Sequence, residues 1–231
     1  MLGAVAAPLM KLERTRASDS VFDVLRESIL SRVFSPGDRL DVKALAEQLG
    51  VSGTPVKDAI NRLAAEGLVD VRPRSGTFVA EIAPEAVAET FQIRRALECL
   101  AAETLTDRLT PELLRRFAGL VEDLERPIKT EADRAEHERA NTALHALIVE
   151  ACGNKRLYEI YSSLNAHLTI ARVHSRRRPD AKRLAQERAE HRAILEAIQA
   201  RDAQRLIRVL GEHIRRAADA LVDDVSARGR M

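Results

Sequence analysis

"LAEQLGVSGTPVKDAINRLAAEGLV", residues Leu45 to Val69, decides how the first part of the chain folds. Leu45 and Leu49 share one face of a short helix that Asp41 caps at its start. Gly50 follows as the left-handed residue that ends such a helix. Ser52 and Thr54 then supply cap-type hydroxyls, and Pro55 sits where a first helical turn tolerates it. The second helix runs to Glu66 and stops at Gly67. Two helices separated by so tight a turn set the second one out as a projecting element.

Working outward, Val21, Leu25, Ile29 and Leu30 define an earlier helix over Asp19 to Val33, with Ser18 or Asp19 as its N-cap. "SPGDRL", Ser35 to Leu40, is a turn. On the far side, "LVDVRP" and "GTFVAEI" alternate with period 2 about Ser75-Gly76, which is a hairpin signal. Three helices and a hairpin predict a winged helix-turn-helix over residues 18–82. Residues 1–17 are expected to be a disordered arm, and "MLGAVAAPLM" lacks the basic start of a signal peptide.

After Pro84 the strand pattern ends. Apolar periodicity predicts six helices, roughly 85–109, 111–125, 130–152, 155–177, 180–200 and 203–225. Pro111, Pro127, Gly153, Pro179 and Asp202 mark the breaks. The fold class is therefore mainly α, with an all-α bundle over residues 84–226 behind the winged unit.

The formal net charge is only +2, so any nucleic-acid footprint must be local. Ser52 and Thr54 at a helix N-terminus suit phosphate oxygens. Lys57 lies one turn further in, and Lys43 opens the preceding helix. Arg72 and Arg74 flank the hairpin tip beside Gly76, where a wing tracks phosphates or the minor groove. Read blandly, the same residues are solvated charges on a small helical domain. Cys99 and Cys152 sit in apolar helical patterns and read as reduced thiols of a cytoplasmic protein. No apolar run approaches the ~20 residues of a membrane span.

The second part carries all six histidines. Asn141 and His145 are four residues apart, hence on one helix face. His191 and His213 lie 22 residues apart, about 33 Å on one straight helix, but the break at Arg201-Asp202 lets antiparallel helices join them. Three imidazoles and one oxygen suit Zn²⁺ or another borderline divalent metal. His137 shares the Asn141 face, and His167 and His174 are on another helix, so chemistry alone leaves the choice open. Arg94 stands among apolar residues and needs an anion, either Glu98 one turn away or a ligand carboxylate. The run Arg176 to Arg178 reads as a solvated helix end.

"LAEQLGVSGTPVKDAINRLAAEGLV", with "VFSPGDRL" before it and "VRPRSGTFV" after it, resembles the GntR family of bacterial transcription factors. Where that family usually has arginine, this chain has Gly53 and Lys57. Gly53 offers no side chain to a base, and Lys57 is a point charge where arginine would be a fork. "IRRALE", "NTALHALIVEACGN" and "EHRAILEAIQARD" are similar to the FCD ligand-binding domain of the FadR subfamily, most of all its VanR-type branch. The resemblance implies a metal held by Asn141, His145, His191 and His213, with zinc the first choice and nickel or manganese alternatives. Asparagine there is the less common ligand and brings one negative charge fewer. It further implies that Arg94 faces the pocket, with His167 and Arg172 as weaker candidates, and that the effector is a small organic or sugar acid. A homodimer bound to a short palindromic operator, acting as a repressor, completes the expectation. Its rivals are a DNA-binding dimer with a purely structural bundle and a metal-dependent enzyme.

Overall fold

The structure, a computed structural model, describes the backbone of residues 16–30, 33–81, 83–174 and 181–227, and their side chains apart from 16 and 165–174. It forms two compact units, Met1–Ala80 and Glu81–Met231.

In the first unit, α1 (Arg16–Leu30) buries Val21, Phe22, Leu25 and Ile29 and packs on α3 (Gly53–Ala65). The helix begins earlier than the cap reading implies. Ser18 and Asp19 lie inside its first turns, and the Asp19 carboxylate accepts from Arg62 Nη1 of α3 at 2.7 Å. An acid near a helix start needs no cap role to be favoured there. The expected arm over 1–17 thus ends in helix at Arg16 and Ala17, while residues 1–15 lie outside the described residues. The expected end at Val33 is also too late: α1 is described to Leu30, and Val33 is a bend.

Asp41 caps α2 (Val42–Leu49), accepting from the Lys43 and Ala44 amides at 2.9 Å. Gly50, at φ 65°, closes it. Ser52 occupies the N-cap of α3 (Gly53–Ala65) in extended conformation, but its hydroxyl makes no capping hydrogen bond, contrary to expectation. Strands β1 (Val69–Arg72) and β2 (Gly76–Val79) pair antiparallel, Val69 opposite Val79 and Arg72 opposite Gly76. The "SPGDRL" segment is more than a turn. Arg39 bridges Phe78, Leu40 N–H donates to Thr77 O at 2.8 Å, and Val79 N–H donates to Asp38 O at 2.8 Å. It thereby covers the outer edge of the wing. Gly76, at φ 125°, lets this happen, because a Cβ there would come within 3.1 Å of Arg39 Nε.

The second unit contains α4 (Pro84–Leu105), α5 (Pro111–Glu125), α6 (Glu131–Ala151), α7 (Lys155–His174), α8 (Ala181–Gln199) and α9 (Ala203–Ser226). Helix α4 packs against α6, α7 and α9, which makes it the spine of the bundle. Phe117, Leu124, Leu144, Ile148, Ile194, Leu206 and Leu210 form its apolar core. Thr110 caps α5, and Thr130 with Asp133 forms a capping box on α6. Helix α4 stops four residues short of the expected Leu109, giving way to a 3₁₀ turn at Thr106–Arg108. The cause is tertiary: Arg201, at φ 53° between α8 and α9, donates to Thr106 O at 3.0 Å and Leu109 O at 2.8 Å. These carbonyls are satisfied without another helical turn. Both cysteines are free thiols, and no described helix is long and apolar enough to cross a membrane.

Candidate metal centre and nucleic-acid interface

The first unit displays its chemistry on exposed positions. Lys43, Ser52, Thr54, Lys57, Arg72 and Arg74 are all exposed. The uncapped Ser52 hydroxyl precedes an α3 first turn whose amides have no intrahelical partner. Gly53 has ordinary helical backbone and open surroundings: a Cβ would meet Val42 Cγ1 at 3.8 Å and nothing nearer. On the wing, the Arg72 guanidinium lies 4.8 Å from the Phe78 ring centroid and 3.6 Å from Asp70 Oδ2. Arg74 turns the tip with a left-handed φ of 64°. Gly76 is placed by the packing of Arg39 rather than by exposure.

The second unit keeps its chemistry inside. Arg94 and Glu98, one turn apart on α4, are 2% and 0% exposed. Arg94 Nε donates to Glu98 Oε1 at 2.6 Å, and the Tyr161 hydroxyl of α7 donates to the same oxygen at 3.0 Å. Of the two anions that the sequence allowed for Arg94, the structure supplies Glu98. Burial alone would make the guanidinium easier to deprotonate; the Glu98 carboxylate outweighs that and holds it charged. The other oxygen, Glu98 Oε2, lies 2.6 Å from His145 Nδ1 of α6.

His145 Nε2 then faces His213 Nε2 of α9 at 3.2 Å. His213 Nδ1 lies 2.9 Å from Glu190 Oε2 of α8, and Glu190 Oε1 pairs with Arg216. His191 completes the group, its ring centroid 4.7 Å from that of His213. The three imidazoles are buried, and their ligand atoms lie within 4.8 Å of one another. Among the described residues, this is the histidine, cysteine and carboxylate cluster with metal-binding dimensions. The donors fit a borderline divalent cation: three converging imidazoles, two of them backed by carboxylates. Asn141 is buried on α6, one turn before His145.

His137 goes elsewhere. Its Nε2 lies 3.3 Å from Glu187 Oε1 on α8. Burial would raise the Glu187 carboxyl, but the His137 hydrogen bond and the charges of His191, His137 and His213 bring it to about 2. The side chains of His167, Arg172 and His174, and all of Arg176 to Arg178, lie outside the described residues. Sequence reasoning missed Glu190, Tyr161 and Arg216 as members of the site, and knew Glu98 only as a partner for Arg94. Glu190 is adjacent to His191 but faces His213, a choice that no spacing along one helix encodes. A groove of about 610 Å³ opens between α8 and α9, lined by Glu190, His213, Arg215 and Arg216 among others.

A winged helix-turn-helix with exposed cations, followed by a helical unit with a buried polar core, defines a DNA-binding transcription regulator. Residues 17–79 match the bacterial regulatory proteins of the gntR family, and residues 89–216 match the FCD domain. The chain belongs to the GntR family and carries an FCD domain. It is 30% identical over 208 residues, 88% of each chain, to a protein of Paenarthrobacter nicotinovorans described as "Probable D-xylose utilization operon transcriptional repressor". It is 29% identical over 215 residues, 92% of this chain and 86% of the other, to an uncharacterized HTH-type transcriptional regulator in an unstable DNA locus of Streptomyces ambofaciens. Among solved structures it resembles McbR/YncC of E. coli, with TM-score 0.72, 25% identity, and coverage of 89% of this chain and 96% of that one. These relatives are described as transcriptional regulators.

Proposed function

We propose that the protein is a homodimeric repressor whose hold on a short palindromic operator is controlled by a small organic or sugar acid bound at a metal centre. In this reading residues 18–82 read DNA and residues 84–226 bind effector and dimerise. The carrying observation is the 3.2 Å approach of His145 Nε2 to His213 Nε2, with His191 beside them. That separation is what two nitrogens take on a tetrahedral cation about 2.0–2.1 Å from each, as well as in an N–H···N hydrogen bond, and the third imidazole within 4.8 Å favours the cation. His145, His191, His213 and Asn141 would hold it, with zinc first and nickel or manganese as alternatives. Bound there, the cation supplies a Lewis-acid position for an effector carboxylate.

Arg94 acts from beneath, through Glu98, and the groove beside His213 is lined by Arg215 and Arg216 together with Glu190, Glu212 and Asp219. His167 and Arg172 join the pocket by the family resemblance. The six-helix bundle supports placement in the VanR-type branch. The xylose-operon relative supports repression and a sugar-derived effector. Ile93 and Leu100, 50% and 49% exposed and seven residues apart on α4, support a second copy as partner. An effector changes operator affinity only if it binds the two arrangements of the dimer unequally.

The experiment is thermal unfolding against small carboxylic and sugar acids, with chelator or added Zn²⁺, Ni²⁺ or Mn²⁺, paired with operator titrations at fixed salt. One acid class should raise the unfolding midpoint only when metal is present, and weaken operator binding. Indifference to chelator and to every acid would leave a DNA-binding dimer with a structural bundle.

A further inference from the structure

Glu98 and Glu190 stand behind two of the three clustered imidazoles, each on the ring nitrogen turned away from the other ring. Glu98 Oε1 already accepts from Arg94 Nε and from the Tyr161 hydroxyl. Arginine has donors only, so this oxygen must remain an acceptor. Glu98 Oε2, 2.6 Å from His145 Nδ1, therefore meets its best partner when that nitrogen carries hydrogen. Glu190 repeats the arrangement on the other side. Its Oε1 is held by Arg216, and its Oε2 is 2.9 Å from His213 Nδ1.

We propose that Glu98 and Glu190 are positioning residues that keep His145 and His213 protonated at Nδ1, so that both Nε2 lone pairs converge on one point. The facing pair is then complete only with one positive charge between the rings, a proton or a metal cation. The value of this device to regulation rests on the metal-centre reading above; the protonation pattern itself does not. Three helices besides those of the two rings are drawn in. Arg94 and Glu98 belong to α4, Tyr161 to α7 and Glu190 to α8. The cluster is thereby fastened to the spine of its unit.

Glutamine at either position exposes the device, because an amide has one acceptor oxygen where a carboxylate has two. In Glu98→Gln that oxygen stays with Arg94 and Tyr161, and the NH₂ faces His145 Nδ1. The NH₂ demands a lone pair there and drives the ring proton to Nε2, the ligand atom. Glu190→Gln does the same to His213.

The test is long-range ¹H–¹⁵N correlation of the histidine rings in the metal-free, full-length protein, followed by Zn²⁺ titration. Wild type should show protonated Nδ1 in both His145 and His213. Each glutamine variant should move its own ring's proton to Nε2, leave the other ring unchanged, and weaken Zn²⁺ by about 10–100-fold. Glu190 is the less buried of the two, so Glu190→Gln keeps the test alive should Glu98→Gln not fold. Unprotonated Nδ1 in either wild-type ring, or variants with unaltered rings, overturns the proposal. Rings as proposed in a protein that takes up no Zn²⁺, Ni²⁺ or Mn²⁺ would uphold the positioning role and refute the metal centre.

Discussion

Lys57 on α3 and Arg94 on α4 are both cations on packed helices, yet the two units use them oppositely. Lys57 projects into solvent, while Arg94 is 2% exposed and held by Glu98. The first unit folds around Val56, Leu63, Leu68 and Val79 and leaves its charges over for another molecule. The second unit builds charge into its interior, where a buried charge is costly unless the fold itself pairs it. A functional residue of the first kind can be changed without harm to the fold. One of the second kind is structural as well.

Arg94→Met gives the largest separation between the units. It leaves the buried Glu98 carboxylate with Tyr161 and His145 but without its fixed cation, and should destabilise the helical unit by about 3 kcal/mol in denaturant titrations. The wing and its helices should keep their hydrogen-exchange protection; equal loss in both units would break the contrast. Gly53→Arg comes next and acts in the other direction. The site has room for a side chain, and an arginine forked onto a guanine should tighten binding to a family-type operator by about 1–3 kcal/mol. Unchanged or weaker binding at fixed salt would show that the α3 tip is not a reader. Lys57→Ala has the smallest effect. It should reduce the slope of log affinity against log salt by about 0.9 if one phosphate contact is lost. Its unfolding free energy should stay within about 0.5 kcal/mol of wild type.

The same contrast governs what could be read in the sequence. The α2–turn–α3–wing order was legible because each boundary is local: Asp41 at a cap, Gly50 and Gly67 at helix ends, an alternating pair about the tip. The strand-like edge at Arg39 was not, because one bridging residue has no period to detect. The end of α4 was misjudged because Arg201, nearly a hundred residues away, supplies partners for the Thr106 and Leu109 carbonyls just beyond it. Spacing put Asn141 with His145 and let His191 meet His213 across the Arg201-Asp202 break, but it left His137 as a rival. The family resemblance named the set without it, and the packing of α6, α8 and α9 brings His145, His191 and His213 together while His137 turns to Glu187. The carboxylates behind the rings lay beyond sequence reasoning for the same reason.

Gly53 has a consequence in the language of mutation and selection. Glycine and arginine codons differ by a single base, and the flank of Gly53 is open enough to receive the longer side chain. A new operator preference is therefore one nucleotide change away, with no compensating change needed in the core. The buried centre offers no such short path, because altering Glu98 disturbs Arg94, Tyr161 and His145 together. Under the proposed function, a change of target thus needs one base change, whereas a change at the buried centre needs several residues altered together.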